Sequence, residues 1–310
     1  MDEKLQVVFE PKAPPHAAEL YDYESTVEGV SHFSGVDAAA LERYRSEGFL
    51  LVRDAFSADE VAAAKENLLE LGLSEAPATD AIYYEGAIRD LLPDFGDETP
   101  APSGHHFEDL ALGKTDDRLP PLDAETRLRH LRKFMGFARR NPALLAIAEH
   151  AELMGVLGRI LGEPPELYQD MAMIKPPGGR EKPWHQDRAY FNLTQETPVA
   201  AAWIALDAAT PENGCLRLAP GAHVDGACPH FLRRDWQICD TDVPPRRVAA
   251  PMAPGDCLLF DALLPHGTPL NETSQGRWAL QFHYTSVAAH STSDAERLTV
   301  FGNEGKGVSC

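Results

Sequence analysis

The sequence predicts a mainly β protein with flanking helices, its core a jelly-roll or sandwich. Three observations carry this expectation. From Leu167 onward the chain breaks into short apolar or alternating runs: LYQDMAMIKP, VAAAWIALDA, GCLRLAP, CLLFDAL and RWALQFHYTSV. Turn chemistry separates them, in PPGG, PENG, APGD and NETSQG, where Gly, Pro and Asn favour chain reversal. The runs do not alternate with helices, so antiparallel strands fit better than the βαβ order of a doubly wound sheet.

The elements before this region follow in order. Residues 1–36 are mixed, with prolines at 11, 14 and 15, and read as an N-terminal arm that wraps the domain or is partly mobile. Residues 37–290 read as a single domain, with a helical buttress in 37–163 and a β-core from about 165. Within the buttress, a helix, a strand in GFLLVRDA and a second helix are expected. Ser57 caps that second helix, Glu60 completes a capping box, and Gly72 ends it. Residues 73–123 are rich in Pro, Gly, Asp and Glu with little periodicity, which suggests a lid loop. Residues 130–162 return to helical spacing, as two helices broken near Asn141-Pro142. Residues 223–247 form an insertion between strands, Asn213-Gly214 suits a tight turn, and 291–310 read as a tail.

The totals narrow the function. A chain of 310 residues with 44% hydrophobic and 25% charged residues is ordinary for a globular protein. A net charge of −20 repels nucleic acid and anionic membranes, so neither is an expected partner. The five cysteines are odd in number and scattered, with no C-x-x-C pair. They suggest a reducing cytoplasm rather than a disulfide framework or zinc site. The opening MDEKLQVVFE lacks the long apolar run of a signal peptide. Oligomeric state is left open.

One short stretch, PWHQDRAYFNL, carries the first chemical signal. His185 and Asp187 stand two apart, so on a strand they would share a face. Such a pair suits two ligands of a metal, and equally a polar strand face. Downstream, LLFDALLPHGTPLNETSQGRWALQFHY supplies His266, Thr268 and Arg277. His266 follows a strand and Arg277 opens the next, so a hairpin would bring them near each other. Together His185, Asp187 and His266 form a 2-His-1-carboxylate set, the ligand pattern of non-haem Fe(II) oxygenases. Arg277 could grip a distal carboxylate bidentately, with Thr268 adding a hydroxyl.

These motifs resemble the phytanoyl-CoA dioxygenase family of Fe(II)/2-oxoglutarate oxygenases. The likeness runs from about Leu41 to about Ser286. It includes YRSEGFLLVRDAFSADEV, MAMIKPPGG, WHQD, WIALDAATPENGCLRLAPGAH and GDCLLFDALLPHGTPLNETSQGRWALQFHY. The resemblance implies a double-stranded β-helix, that is a distorted, cupin-like jelly-roll. It implies Fe(II), 2-oxoglutarate and O2 as cofactor and co-substrates, with His185, Asp187 and His266 as iron ligands. Arg277 and Thr268 match the residues that hold 2-oxoglutarate, Lys133 falls where the family has a lysine near it, and Met171 and Trp203 fall on the pocket wall. Core packing is the alternative for those last two. The resemblance also disfavours halogenation, because related halogenases have a small residue where Asp187 stands.

Substrate contacts are less marked. His105 and His106 in the expected lid, and Arg188, Tyr190 and Phe191 after the metal motif, could line the substrate mouth. Exposed loop histidines and ordinary sheet positions are the plainer alternatives, as they are for Tyr83 and Tyr84. The expected function is hydroxylation of an unactivated C–H of a small organic substrate, with release of succinate and CO2. Two alternatives stand beside it. The same iron site could give desaturation, ring closure or epimerisation, or the fold could bind a small molecule or sense oxygen without catalysis.

Overall fold

The structure, a computed structural model, describes residues 5–12, 16–92, 114–302 and 310. Its strands in chain order are β1 (Gln6–Phe9), β2 (Ser25–Thr26), β3 (Gly29–Ser31), β4 (Phe49–Arg53), β5 (Ala81–Tyr84), β6 (Lys114–Asp116), β7 (Leu131–Met135), β8 (Pro165–Lys175) and β9 (Lys182–His185). They continue with β10 (Val199–Ala205), β11 (Leu216–Leu218), β12 (His230–Leu232), β13 (Trp236–Ile238), β14 (Val248–Ala250), β15 (Cys257–Asp261), β16 (His266–Thr268) and β17 (Arg277–Ser286). The helices are α1 (Ala38–Glu47), α2 (Ala58–Leu73), α3 (Ala124–Arg129), α4 (Pro142–Ala148), α5 (Ala151–Leu161) and α6 (Asp294–Phe301).

Ten strands form one sheet in the order β3-β4-β15-β10-β17-β8-β7-β5-β1-β6, and five form a second in the order β2-β14-β11-β16-β9. Both are open and mixed: β1 runs parallel to β5, and β14 parallel to β2. The fold is a distorted jelly-roll, as expected.

Alternation along the central strands separates two layers. Ala172, Ala202, Ile204, Leu280, Phe282 and Tyr284 face the helices and join the main core with Leu144, Leu153 and Leu157. Full burial of a side chain such as Phe282 stabilises by roughly 1.5–3 kcal/mol. The Tyr284 hydroxyl donates to Ala148 O at 2.7 Å and ties β17 to the end of α4. The alternate residues, among them Met171, Met173, Trp203, Arg277 and Gln281, face the smaller sheet and line a cavity between the layers.

Several local expectations hold. Ser57 caps α2 with a full capping box to Glu60. Asn141 caps α4, with Pro142 in its first turn. Gly214 turns at φ +82°, which favours glycine.

Others need correction. Residues 131–135 form a strand, not a helix, because they pair with both β5 and β8. The N-terminal arm contributes β1 and β3 to the large sheet and β2 to the smaller one. The expected lid begins too early at 73, since β5 lies within the sheet and Gly86–Leu91 form a 3-10 helix. Residues 93–113, the middle of that lid with His105 and His106, lie outside the described residues. The C-terminal tail contains α6, with its own capping box from Ser293 and Glu296. Cys239 and Cys310 form a disulfide, against the expectation of a chain without one. No helix among the described residues is long and apolar enough to cross a membrane.

Candidate active site

The pairing of β9 with β16 builds the centre of the site. It sets His185 directly opposite His266, with ring centroids 4.3 Å apart. The backbones come close at Gly267, where a Cβ would lie 3.1 Å from both Lys182 O and Trp184 N. Asp187 is not on the strand with His185. It opens a 3-10 turn, Asp187–Tyr190, that follows β9, and this turn brings its carboxylate beneath both rings. Oδ1 lies 3.3 Å from His185 Nε2, and Oδ2 lies 3.7 Å from His266 Nε2. One ligating atom from each of the three residues falls within 4.8 Å of the others.

Hydrogen bonds behind the rings set their tautomers. Nδ1–H of His185 donates to Pro183 O at 2.8 Å, and Nδ1–H of His266 donates to Leu264 O at 2.9 Å. Each Nε2 therefore presents a lone pair to the centre, as a metal-binding imidazole must. Burial, with His185 close by, pushes the His266 imidazole down to about 4, so it is neutral and ready to ligate at neutral pH. Burial alone would raise the Asp187 carboxyl. The His266 and His283 rings outweigh it and hold the group well below the usual carboxylate range.

Two residues of β17 complete the Asp187 environment. His283 Nε2 lies 2.9 Å from Oδ2, and Gln281 Nε2 donates to the same oxygen at 3.0 Å. They occupy one carboxylate oxygen and leave Oδ1 to the cluster. Gln186, between the two motif residues, is fixed as firmly. Its N–H donates to His230 Nε2 at 3.0 Å, while His230 Nδ1–H donates to Cys228 O at 2.8 Å. The insertion at 223–247 thus braces the metal motif.

The same cavity holds Thr268, Lys175 and Arg277. Thr268 lies two residues from His266 on β16, about 7 Å along a strand. Lys175 Nζ donates to Thr268 Oγ1 at 2.9 Å. Arg277 donates from Nη1 to Gly214 O at 2.9 Å and stacks over Trp203 at 5.0 Å. Its buried Nε has no partner among the described residues. Burial pushes this guanidinium down to about 10, still fully charged at neutral pH. A buried cation with donors to spare fits a carboxylate.

The other expected residues divide. Lys133, Met171, Trp203, Tyr190 and Phe191 all line the cavity. Arg188 does not. The 3-10 turn directs it away, and its guanidinium donates to the carbonyls of Phe191 at 3.0 Å and Leu193 at 2.6 Å. Tyr83 and Tyr84 belong to β5, and Lys133 lies over the Tyr83 ring at 3.8 Å. Sequence reasoning missed Lys175, Lys182, Gln281, His283, Asp235 and Trp236. A signal existed for two of them: Gln281 and His283 are four and six residues past Arg277, on the same strand face.

The cavity combines apolar walls from Met171, Phe191 and Trp203 with the polar cluster and Arg277, the mix expected of a small-molecule site. The donor set of two imidazoles and a carboxylate suits Fe(II) with adjacent positions open.

Comparison with known proteins gives the chain a family. A family model described as phytanoyl-CoA dioxygenase matches residues 44–279. Methylphosphonate hydroxylase of Gimesia maris is 34% identical over 181 residues, 54% of this chain and 67% of that protein. A probable phytanoyl-CoA dioxygenase of Caenorhabditis elegans is 27% identical over 196 residues, 58% of this chain and 60% of that one. These alignments span 67% and 60% of the two relatives' own lengths. Among solved structures, EvdO2 from Micromonospora carbonacea var. aurantiaca complexed with 2-oxoglutarate aligns with a TM-score of 0.58 at 25% identity, covering 87% of this chain and 96% of that one. Fold and site define a non-haem iron and 2-oxoglutarate-dependent dioxygenase. Within that class, the chain belongs to the phytanoyl-CoA dioxygenase family.

Proposed function

We propose that the protein hydroxylates an unactivated C–H bond of a small organic substrate while 2-oxoglutarate and O2 become succinate, CO2 and the added hydroxyl. One observation carries this reading. A single cavity joins the His185, Asp187 and His266 cluster to a buried end lined by Arg277 and Thr268. The spacing along β16 suits a five-carbon dicarboxylate that chelates at one end and is gripped at the other.

Fe(II), when bound, supplies the redox chemistry that activates O2 and cleaves the C–H bond. His185, Asp187 and His266 would hold it. Arg277 pairs with the distal carboxylate of 2-oxoglutarate, and Thr268 adds a hydroxyl. Lys175 holds that hydroxyl in place, and Lys133 completes the charged wall. Trp203 and Met171 shape the pocket and exclude water. The name of the Gimesia relative supports hydroxylation as the outcome.

The test is succinate release from protein given Fe(II), 2-oxoglutarate and O2, with and without a panel of organic acids and alcohols. A substrate should raise the rate and gain one oxygen atom from 18O2. No succinate under any condition would reject the proposal. A product two hydrogens lighter would keep the site and change the outcome to desaturation.

A further inference from the structure

The chain carries a net charge of −20, yet its cavity is lined by five basic side chains, Arg132, Lys133, Lys175, Lys182 and Arg277, against three carboxylates, Glu10, Asp187 and Asp235. Geometry already engages most of these cations. Arg277 and Lys175 lie at the Thr268 end. Arg132 is clamped between Glu10 at 2.7 Å and Glu85 at 2.9 Å. Lys133 lies over the Tyr83 ring.

Lys182 is placed differently. Its Nζ donates to Asp235 Oδ2 at 2.9 Å and to the Tyr190 hydroxyl oxygen at 3.0 Å. Its side chain keeps 20% exposure, while that of Asp235 keeps 3%. Asp235 has other partners besides Lys182. Arg180 Nη2 donates to the same oxygen at 3.1 Å, and the Trp236 N–H donates to Oδ1 at 2.7 Å. The ammonium can therefore turn to an incoming anion without leaving a bare buried carboxylate behind. Tyr190 sets the position of this corner. Its O–H donates to Trp236 O at 2.7 Å, so its oxygen is left to accept from Lys182. Its ring meets His185 edge-on, with centroids 5.9 Å apart. The ammonium thus lies on the cavity wall over Tyr190, the residue whose ring meets His185.

We propose that Lys182 binds the oxyanion head group of an organic acid substrate, a carboxylate or phosphonate, and so holds a nearby C–H bond beside His185. Tyr190 is a positioning residue that aims the ammonium. This deepens the reading given under Proposed function and rests on it. A local basic wall in an acidic chain also focuses the attraction on the cavity rather than on the outer surface.

The experiment uses the Fe(II)-loaded protein under nitrogen, saturated with 2-oxoglutarate so that added acids do not report on Arg277. Methylphosphonate, propionate and neutral propionamide are titrated in calorimetrically. At least one acid should bind the wild type, and propionamide should not. Which acid binds distinguishes phosphonate from carboxylate. Lys182→Met should weaken that binding at least tenfold, and Lys182→Arg should keep it within about threefold. Tyr190→Phe should weaken it about threefold. Affinity for 2-oxoglutarate should be the same in all four proteins, which separates a local effect from misfolding. The proposal is overturned if neither acid binds the loaded wild type, if the amide binds as well as the acids, or if Lys182→Met binds them unchanged. If iron or 2-oxoglutarate fails to bind the wild type, the site reading itself falls, and this proposal with it.

Discussion

At the residue scale, the donors of the cluster are held from behind as well as by each other. His185→Ala or His266→Ala should abolish measurable Fe(II) binding by calorimetry, and wild-type affinity in either would refute the ligand set. Arg277→Gln acts elsewhere. Losing a buried charge-assisted pair costs about 2–5 kcal/mol, so 2-oxoglutarate affinity should fall by tens to thousands of fold while Fe(II) still binds. An unchanged affinity would assign the grip to another basic side chain of the cavity, Lys175 or Lys133. His283 touches Asp187 and not the open side of the cluster. His283→Leu should weaken metal affinity by about 10–100-fold and alter the visible spectrum of the Co(II) form. An identical spectrum would leave His283 with packing alone. The meeting of His185, Asp187, His266, Thr268 and Arg277 in one cavity was legible in the sequence because chemistry-bearing types recur there at short, fixed spacings. Lys175 and Lys182 were not, since a lysine in a strand says nothing of which wall it faces. Arg188 misled because neighbours in sequence diverge once a 3-10 turn intervenes.

At the element scale, local rules worked where a local interaction decides the structure. Ser57 and Glu60 are such a case, and both halves of their capping box are present. Ser57→Ala should cost about 1 kcal/mol, read as a lower urea midpoint with unchanged slope, and an unchanged midpoint would remove the cap from the stability of α2. Local rules failed for Leu131–Met135. The run LRKFM has no strand periodicity of its own, and its state follows from β5 and β8 on either side. The N-terminal strand was missed for the same reason. Gln6–Phe9 becomes a strand because Ala81–Tyr84 lies beside it, more than seventy residues away in the chain. The β-core needed no such help, since its alternation and turn residues speak within each run.

At the scale of the whole molecule, the order of the sheets places the cavity, and buried polar groups link its walls to pH. Burial pushes the His230 imidazole down to about 3, against an ordinary value of about 6.5. The folded value is the lower, so the unfolded chain takes up the proton first as pH falls. Stability is complete above about pH 6.5 and is lost toward about pH 3, at about 1.4 kcal/mol per unit. His230→Gln can still accept from Gln186 and donate to Cys228. Between pH 7 and pH 5, urea unfolding of the wild type should therefore lose about 2 kcal/mol more than that of the variant. Equal losses would show that His230 does not contribute to the acid sensitivity. None of this was visible in the sequence, where His230 stands in an insertion with no motif around it.

The three donors of the cluster stand within 4.8 Å of one another, and the close approach at Gly267 keeps the two strands that carry the histidines in register. Two imidazoles and a carboxylate have little means of refusing a wrong guest. Zn(II), Ni(II) and Cu(II) bind nitrogen and oxygen ligands more tightly than Fe(II) does. Protein recovered from cells should therefore carry whichever divalent ions were in supply, and its specific activity should report its loading history. Stripping with a chelator and refilling with Fe(II) under nitrogen should raise succinate formation. Added Zn(II) should then suppress it in competition with Fe(II).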